Sequence, residues 1–317
     1  MTNYTACARR SRRDRALVNT ILSACVLWLV AGNLFAEYTV ERPRLASANF
    51  GEKPAVVIVG RSGVFGLPGS RGVLQVAEIQ SGFVRIVAEM STAEVICDVD
   101  TGSFDGTERD DVFSVGDGLL RVYRYHGNEL QVLAFFGLRS EWTDRIATLN
   151  DPENGTLVAV TEYEIQPDQD VGVTTIRGFR VRGGELVEVW SFDIGAHVGD
   201  LALLSGERPF LVLESGAGDE GGDLSVYDVT GVPDRVWSGR VTEGERCLSV
   251  QRMLGASSLL VHPVGGRPQL FTSSSGRLIR ARSVDSEGTD ILLPVGSSQL
   301  MRLKRQGSRW VSRGTVD

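Results

Sequence analysis

One unit recurs along this 317-residue chain: a glycine-containing turn, a short apolar strand, a second turn, an alternating strand, a tight turn and a further strand. Such a repeat limits the available folds more than any single motif does. The clearest copy is FDGTERDDVFSVGDGLLRVYRYHGNELQVLAF from Phe104, and its VGDGLLRVYRYHGNELQV part is echoed near the C-terminus by VGSSQLMRLKRQGSRWV from Val295. NFGEKPAVVIVGRSG at Asn49, NDPENGTLVAVTEY at Asn150 and SGERPFLVLESG at Ser205 repeat the turn and apolar strand. IRGFRVRGGELVEVWSF from Ile176 and DLSVYDVTGVPDRVWSG from Asp223 repeat the later half, each ending in a Val-Trp strand. The apolar strands start near Ala55, Val112, Leu157, Phe210, Ser258 and Ile291, a period of 45 to 57 residues with a short last interval.

A period of that size with about four short strands predicts an all-β fold, a β-propeller of about six blades (five to seven), each four-stranded. The 37 glycines against four methionines fit many tight turns. A lone blade cannot bury both faces, so neighbours must stack, and Tyr123, Phe179, Trp190, Tyr227 and Trp237 supply apolar area for that stacking. The alternation in VYRY and FRVR places polar residues on one side of outer, half-exposed strands. A strand at residues 38–40 would close the ring against the last blade and remove an open edge.

Residues 1–36 read as an export segment preceding a propeller domain at 37–317. Arg9, Arg10, Arg12, Arg13 and Arg15 precede an apolar run over 16–36 that forms the helix of a signal peptide or an uncleaved signal anchor, with the N-terminus cytoplasmic. Leu22-Ser23-Ala24-Cys25 resembles a bacterial lipobox, which would lipidate Cys25, and Ser11-Arg12-Arg13 resembles a twin-arginine signal. The expected location is exported, periplasmic or associated with the cell envelope, with membrane contact only through this segment.

FDGTERDDVFSVGDGLLRVYR and GERPFLVLESG resemble the FG-GAP/VCBS repeats of bacterial exported propellers, related to the head of integrin α chains. DVTGVPDRVWSG resembles, more weakly, the repeat of pyrroloquinoline-quinone propellers. The first resemblance implies a calcium loop of closely spaced carboxylates, which Ca²⁺ requires for its oxygen shell. Its residues here are Asp98, Asp100, Asp105, Asp110 and Asp111, with Glu108 among them. Thr107 stands where the family places an acidic residue, and the corresponding loops NDPENG and ALLSGERP hold few ligands. No other cofactor is expected: the chain is about half the length of the quinoprotein enzymes and lacks the vicinal cysteine pair that some of them carry.

Nothing in the sequence assembles a catalytic set. No G-x-S-x-G elbow occurs, and His126, His197 and His262 read as a hairpin turn, an inter-strand turn and a strand. Cys97 and Cys247 begin the second and fifth units, too far apart in a six-blade ring for a disulfide. A net charge of −7 argues against a nucleic-acid partner. The expectation is a non-enzymatic binding or scaffold module for a protein or glycan, with the loops at 164–175 and 215–223 as first contact surfaces. Two alternatives stay open: a propeller enzyme, either a quinoprotein-like oxidoreductase or a hydrolase or lyase with a channel site, favoured if axial positions bring together paired carboxylates or Arg with His; and an envelope assembly factor resembling outer-membrane lipoprotein propellers.

Overall fold

The computed structural model describes residues 44–50, 54–62, 71–80, 83–107, 109–151, 153–164, 173–215, 223–240, 247–253, 257–263, 267–284, 291–294, 300–306 and 309–316. The export segment, the strand expected at 38–40, Glu108 and the interiors of both candidate loops lie outside these residues.

Among the described residues the chain forms five four-stranded antiparallel sheets and one of three strands, each following chain order. The first sheet is β1 (Arg44–Asn49), β2 (Pro54–Ser62), β3 (Arg71–Gln80) and β4 (Phe83–Thr92); the second is β5 (Asp98–Gly102), β6 (Asp111–Gly116), β7 (Leu119–His126) and β8 (Glu129–Gly137). The third is β9 (Ile146–Leu149), β10 (Leu157–Glu164), β11 (Val173–Arg182) and β12 (Glu185–Ile194); the fourth is β13 (Val198–Leu204), β14 (Phe210–Ser215), β15 (Asp223–Asp228) and β16 (Asp234–Arg240). The fifth is β17 (Cys247–Arg252), β18 (Ser258–Pro263), β19 (Gln269–Ser274) and β20 (Arg277–Ser283), and the three-stranded sheet is β21 (Ile291–Pro294), β22 (Leu300–Gln306) and β23 (Arg309–Val316). The first strands β1, β5, β9, β13 and β17 neighbour one another in succession, as the inner strands of a β-propeller do. Of the about six (five to seven) four-stranded blades expected, the described residues form five: the described part of the segment after Val284 supplies three paired strands, and the apolar run at Ile291 pairs directly with β22.

Apolar side chains from adjacent sheets fill the spaces between them. Tyr123, fully buried, packs with Val57, Val59 and Leu74 between the first two sheets, and Phe179 packs with Phe113 and Val115 between the second and third. Trp190 packs with Leu201 and Leu211 between the third and fourth, with Tyr227 against the same cluster, while Trp237 lies against the cluster between the fourth and fifth. The five aromatics thus hold blades together, as the repeat predicts, each buried side chain contributing about 1.5–3 kcal/mol of transfer free energy. Met301 of β22 packs on Val56 and Ile58 of β2, so the three-stranded sheet also meets the first.

Two features depart from the sequence reading. Arg124 and Arg180, on the polar side of VYRY and FRVR, form ion pairs with Asp111 (2.8 Å) and Asp151 (2.9 Å) rather than standing free in solvent. The strand with regularly exposed side chains is the fourth of each blade, as in β12. In addition, every sheet carries a β-bulge where its last two strands pair, opposite Val76/Ala77, Val122/Tyr123, Gly178/Phe179, Val226/Tyr227, Leu270/Phe271 and Met301/Leu303. The extra residue is Val87, Leu133, Val189, Val236 or Ala281 in the four-stranded sheets. A bulge increases local twist and turns an edge away from intermolecular pairing. It also explains the Val-Trp pair: Val189 bulges outward, and the Trp190 ring folds over Gly178, where a Cβ would lie 2.1 Å from the indole.

Candidate functional site

The entrances of the first four inner strands carry charges. Arg44 opens β1, Asp98 opens β5, Arg145 directly precedes β9 and Asp200 lies near the start of β13, so four successive blades present Arg, Asp, Arg and Asp at one end of the axis. The Arg44 guanidinium sits 4.0 Å from Asp98 and 3.2 Å from Asp200, reaching a blade that is not its neighbour. Arg145 lies 4.0 Å from Asp200 and 3.3 Å from Asp144.

The carboxylates also fasten blade to blade. Asp98 accepts a hydrogen bond from Ile146 N–H (3.1 Å), and Asp200 accepts one from Val250 N–H (2.8 Å) on the next inner strand. Two residues along β5, Asp100 accepts from Thr148 N–H at 2.7 Å. Inner-strand N–H groups that face a neighbouring blade thereby gain a partner in a setting where a missing hydrogen bond costs about 1–3 kcal/mol. Burial, reinforced by Asp200 and opposed by Arg44 and Arg145, pushes the Asp98 carboxyl up to about 7. Burial likewise raises Asp100. The Arg44 guanidinium is held charged by Asp200 and Asp98 despite its burial.

Outward from this tier the same face bears an aromatic step. Trp142 bridges Tyr163 in antiparallel fashion, the Tyr163 ring meets His197 edge-on at 6.2 Å between centroids, and His197 Nε2 lies 3.8 Å from Asp144. Asp144 also accepts from Thr161 Oγ1 (2.7 Å). Trp142 is 64% exposed, so it has no role in the core.

The five carboxylates expected to bind calcium do not converge. Asp98 and Asp100 belong to the inter-blade fastening just described. Asp105 and Asp111 lie at the other end of the blade, bridged by Arg124 at 2.8 Å to each, and Asp111 also accepts from Phe104 N–H (3.0 Å). Hydrogen bonds from Thr107, with Arg124, lower the Asp105 carboxyl. Asp110 accepts from Asn49 N–H (2.7 Å) and Asn150 Nδ2 (3.3 Å), tying its turn to the first and third blades. Among the described residues no group of three His, Cys, Asp or Glu side chains is arranged to hold a metal ion.

The histidines separate as read from the sequence. His126 lies in a hairpin turn with Gly127 (φ 59°) and Asn128 (φ 67°). His262, in β18, is pushed down to about 4 by burial and stays neutral. Only His197 joins a polar cluster. Cys97 is a free thiol before β5, pushed up to about 11 by burial, and Cys247 starts β17 three sheets away. The sequence reading missed Arg44, Trp142, Asp144, Arg145, Tyr163 and Asp200. For Arg145 and Asp200 the signal was positional: counted back from each apolar strand they occupy the place that Asp98 occupies, opposite the fifth position of β10, β14 and β6 respectively.

No protein-family model matches this chain, and no curated protein does. Among solved structures it is similar to a chain of the COPII outer coat vertex on membranes, at 11% identity and a TM-score of 0.51 over 87% of this chain and 84% of that one. A second match, to a chain of the COPII coat assembled on membranes, has the same identity and TM-score over 87% of this chain and 46% of that one. Identity this low carries fold alone, and together with the sheet order it makes the chain a β-propeller.

Proposed function

We propose that this chain is an exported β-propeller of the FG-GAP/VCBS type, a non-enzymatic binding or scaffold module of the cell envelope whose contact face is the channel entrance ringed by Arg44, Asp98, Arg145 and Asp200. One observation carries the reading. The charged groups at the entrance are engaged with one another and with backbone N–H groups of neighbouring blades, whereas Trp142 and His197 beside them stand open to solvent. A rigid frame with open aromatic groups on its loops suits recognition. Export rests on the arginine cluster followed by the apolar run over 16–36. In this reading β21–β23 completes the ring as a sixth blade, supported by the packing of Met301 on Val56 and Ile58.

The test is to express the full chain in a bacterial host, measure the mass of the mature protein in soluble and membrane fractions, and cross-link it to envelope components. A mass beginning at Glu37 in the soluble fraction, with a specific cross-linked partner, supports an exported binding module. Retention of the whole chain in the cytoplasm overturns the export reading. A lipid on Cys25 redirects it toward a membrane-anchored assembly factor.

A specific observation favours a second reading. Asp98 and Asp200 are paired carboxylates with Arg44 between them, Arg145 lies beside Asp200, and His197 sits at the same mouth, which is the arrangement expected of a channel enzyme. The Asp98→Asn variant separates the two: an enzyme loses turnover at an unchanged thermal midpoint, whereas a binding module retains its cross-linked partner.

A further inference from the structure

We infer that the step formed by Trp142, Tyr163, His197 and Asp144 is a carbohydrate-binding site that takes a pyranose ring. The inference deepens the binding-module reading and rests on it. An exposed tryptophan is unremarkable on a fraying loop, but this one is held. Tyr163 N–H donates to Trp142 O (2.8 Å), Ser140 Oγ donates to Tyr163 O (2.7 Å), Trp142 N–H donates to Ser140 Oγ (3.0 Å), and Arg139 N–H donates to Glu162 Oε1 (2.7 Å). Three of these hydrogen bonds fix residues 139–142 on the end of β10 and the remaining one braces the segment internally, so a ligand would incur little ordering cost there.

The chemistry of the step selects the ligand. Residues opposed across an antiparallel bridge project to the same side, so Trp142 and Tyr163 share a face, and the Tyr163 ring continues onto His197. Among the described residues, Trp142 Nε1 and Tyr163 Oη have no hydrogen-bond partner, and His197 has only the distant Asp144 carboxylate. The step therefore offers apolar ring faces edged by donors and acceptors. Its complement is a molecule with an apolar face and a rim of hydroxyls, which describes a pyranoside. Asp144 is balanced by Arg145 at 3.3 Å, which disfavours a free cation or anion as the occupant. A quaternary ammonium would also leave the hydrogen-bonding edges unused.

The experiment titrates the full-length mature protein with cellohexaose, chitohexaose and mannohexaose, reading heat and tryptophan fluorescence. Trp142→Ala, Trp142→Phe and Tyr163→Ala are run beside it, with thermal midpoints as the folding control. At least one hexasaccharide is expected to bind the native chain. Trp142→Ala should weaken that binding by about 30-fold or more, as loss of an aromatic anchor does, while Trp142→Phe retains most of it. Failure of all three sugars to bind, or equal binding by Trp142→Ala at an unchanged midpoint, overturns the inference. If the sugars fail but a specific envelope protein still cross-links, the binding module stands and only its carbohydrate ligand is lost. If neither binds, both readings fall.

Discussion

The two ends of the second blade use the same residue type in opposite ways. At the channel entrance Asp98 is fully enclosed, shares Arg44 with Asp200 and fastens Ile146 of the next blade; at the far end Asp105 lies in an open turn with Arg124 between it and Asp111. Burial pushes the first carboxyl up, whereas hydrogen bonds from Thr107 and Arg124 pull the exposed one down. Seven residues apart in sequence, they differ because one faces the axis, where every charge needs a partner from another blade, and the other faces water.

The sharpest way to break that comparison is to delete an axial carboxylate. Asp200→Ala leaves Arg44, Arg145 and Val250 N–H without their shared acceptor, and should lower unfolding stability by about 3–5 kcal/mol in denaturant titration. Asp105→Ala should stay within about 0.5 kcal/mol of the native chain. Equal losses from the two variants would mean that the entrance is not a structural lock.

A pH series sharpens it next. Asp98 has a folded-state pKa of about 7 against an ordinary value of 3.8, so the folded chain holds a proton that the unfolded chain releases. The contribution of this group to stability is therefore fully present below about pH 4 and is lost as the pH rises through about 7. Asp98→Asn should flatten that part of the midpoint-versus-pH curve. An unchanged slope would assign the dependence to other groups.

At the far end, Arg124→Ala strands the buried Asp111 carboxylate with Phe104 N–H among its remaining partners and should cost about 1–3 kcal/mol, less than Asp200→Ala. The smallest effect expected is that of calcium, which would have to displace Arg124 from Asp105 and Asp111. Millimolar calcium should shift the thermal midpoint by less than about 1 °C, and a larger rise would show ligand linkage at these carboxylates.

Much of the frame was legible in the sequence. Apolar runs such as VVIV at Val56 and LVAV at Leu157 became buried second strands, and turn residues such as Gly127-Asn128 became hairpins with positive φ. The inner strands were harder to read, because β5, β9 and β13 carry or adjoin Asp98, Arg145 and Asp200, which interrupt the apolar pattern by facing the axis. The bulges were hidden as well, since one extra residue in an outer strand leaves its alternation almost intact over a short window. The aromatic step was invisible because Trp142 and His197 come from two different connections and Tyr163 from the end of β10, and only folding brings them together.

The sequence by itself determined the strands, the turns and their repetition, since those follow from neighbours a few residues away. Only the tertiary structure decided which charges meet. Arg44 and Asp200 are separated by 156 residues, and their pairing depends on burial and on distances that come into being only when the blades are assembled around the axis.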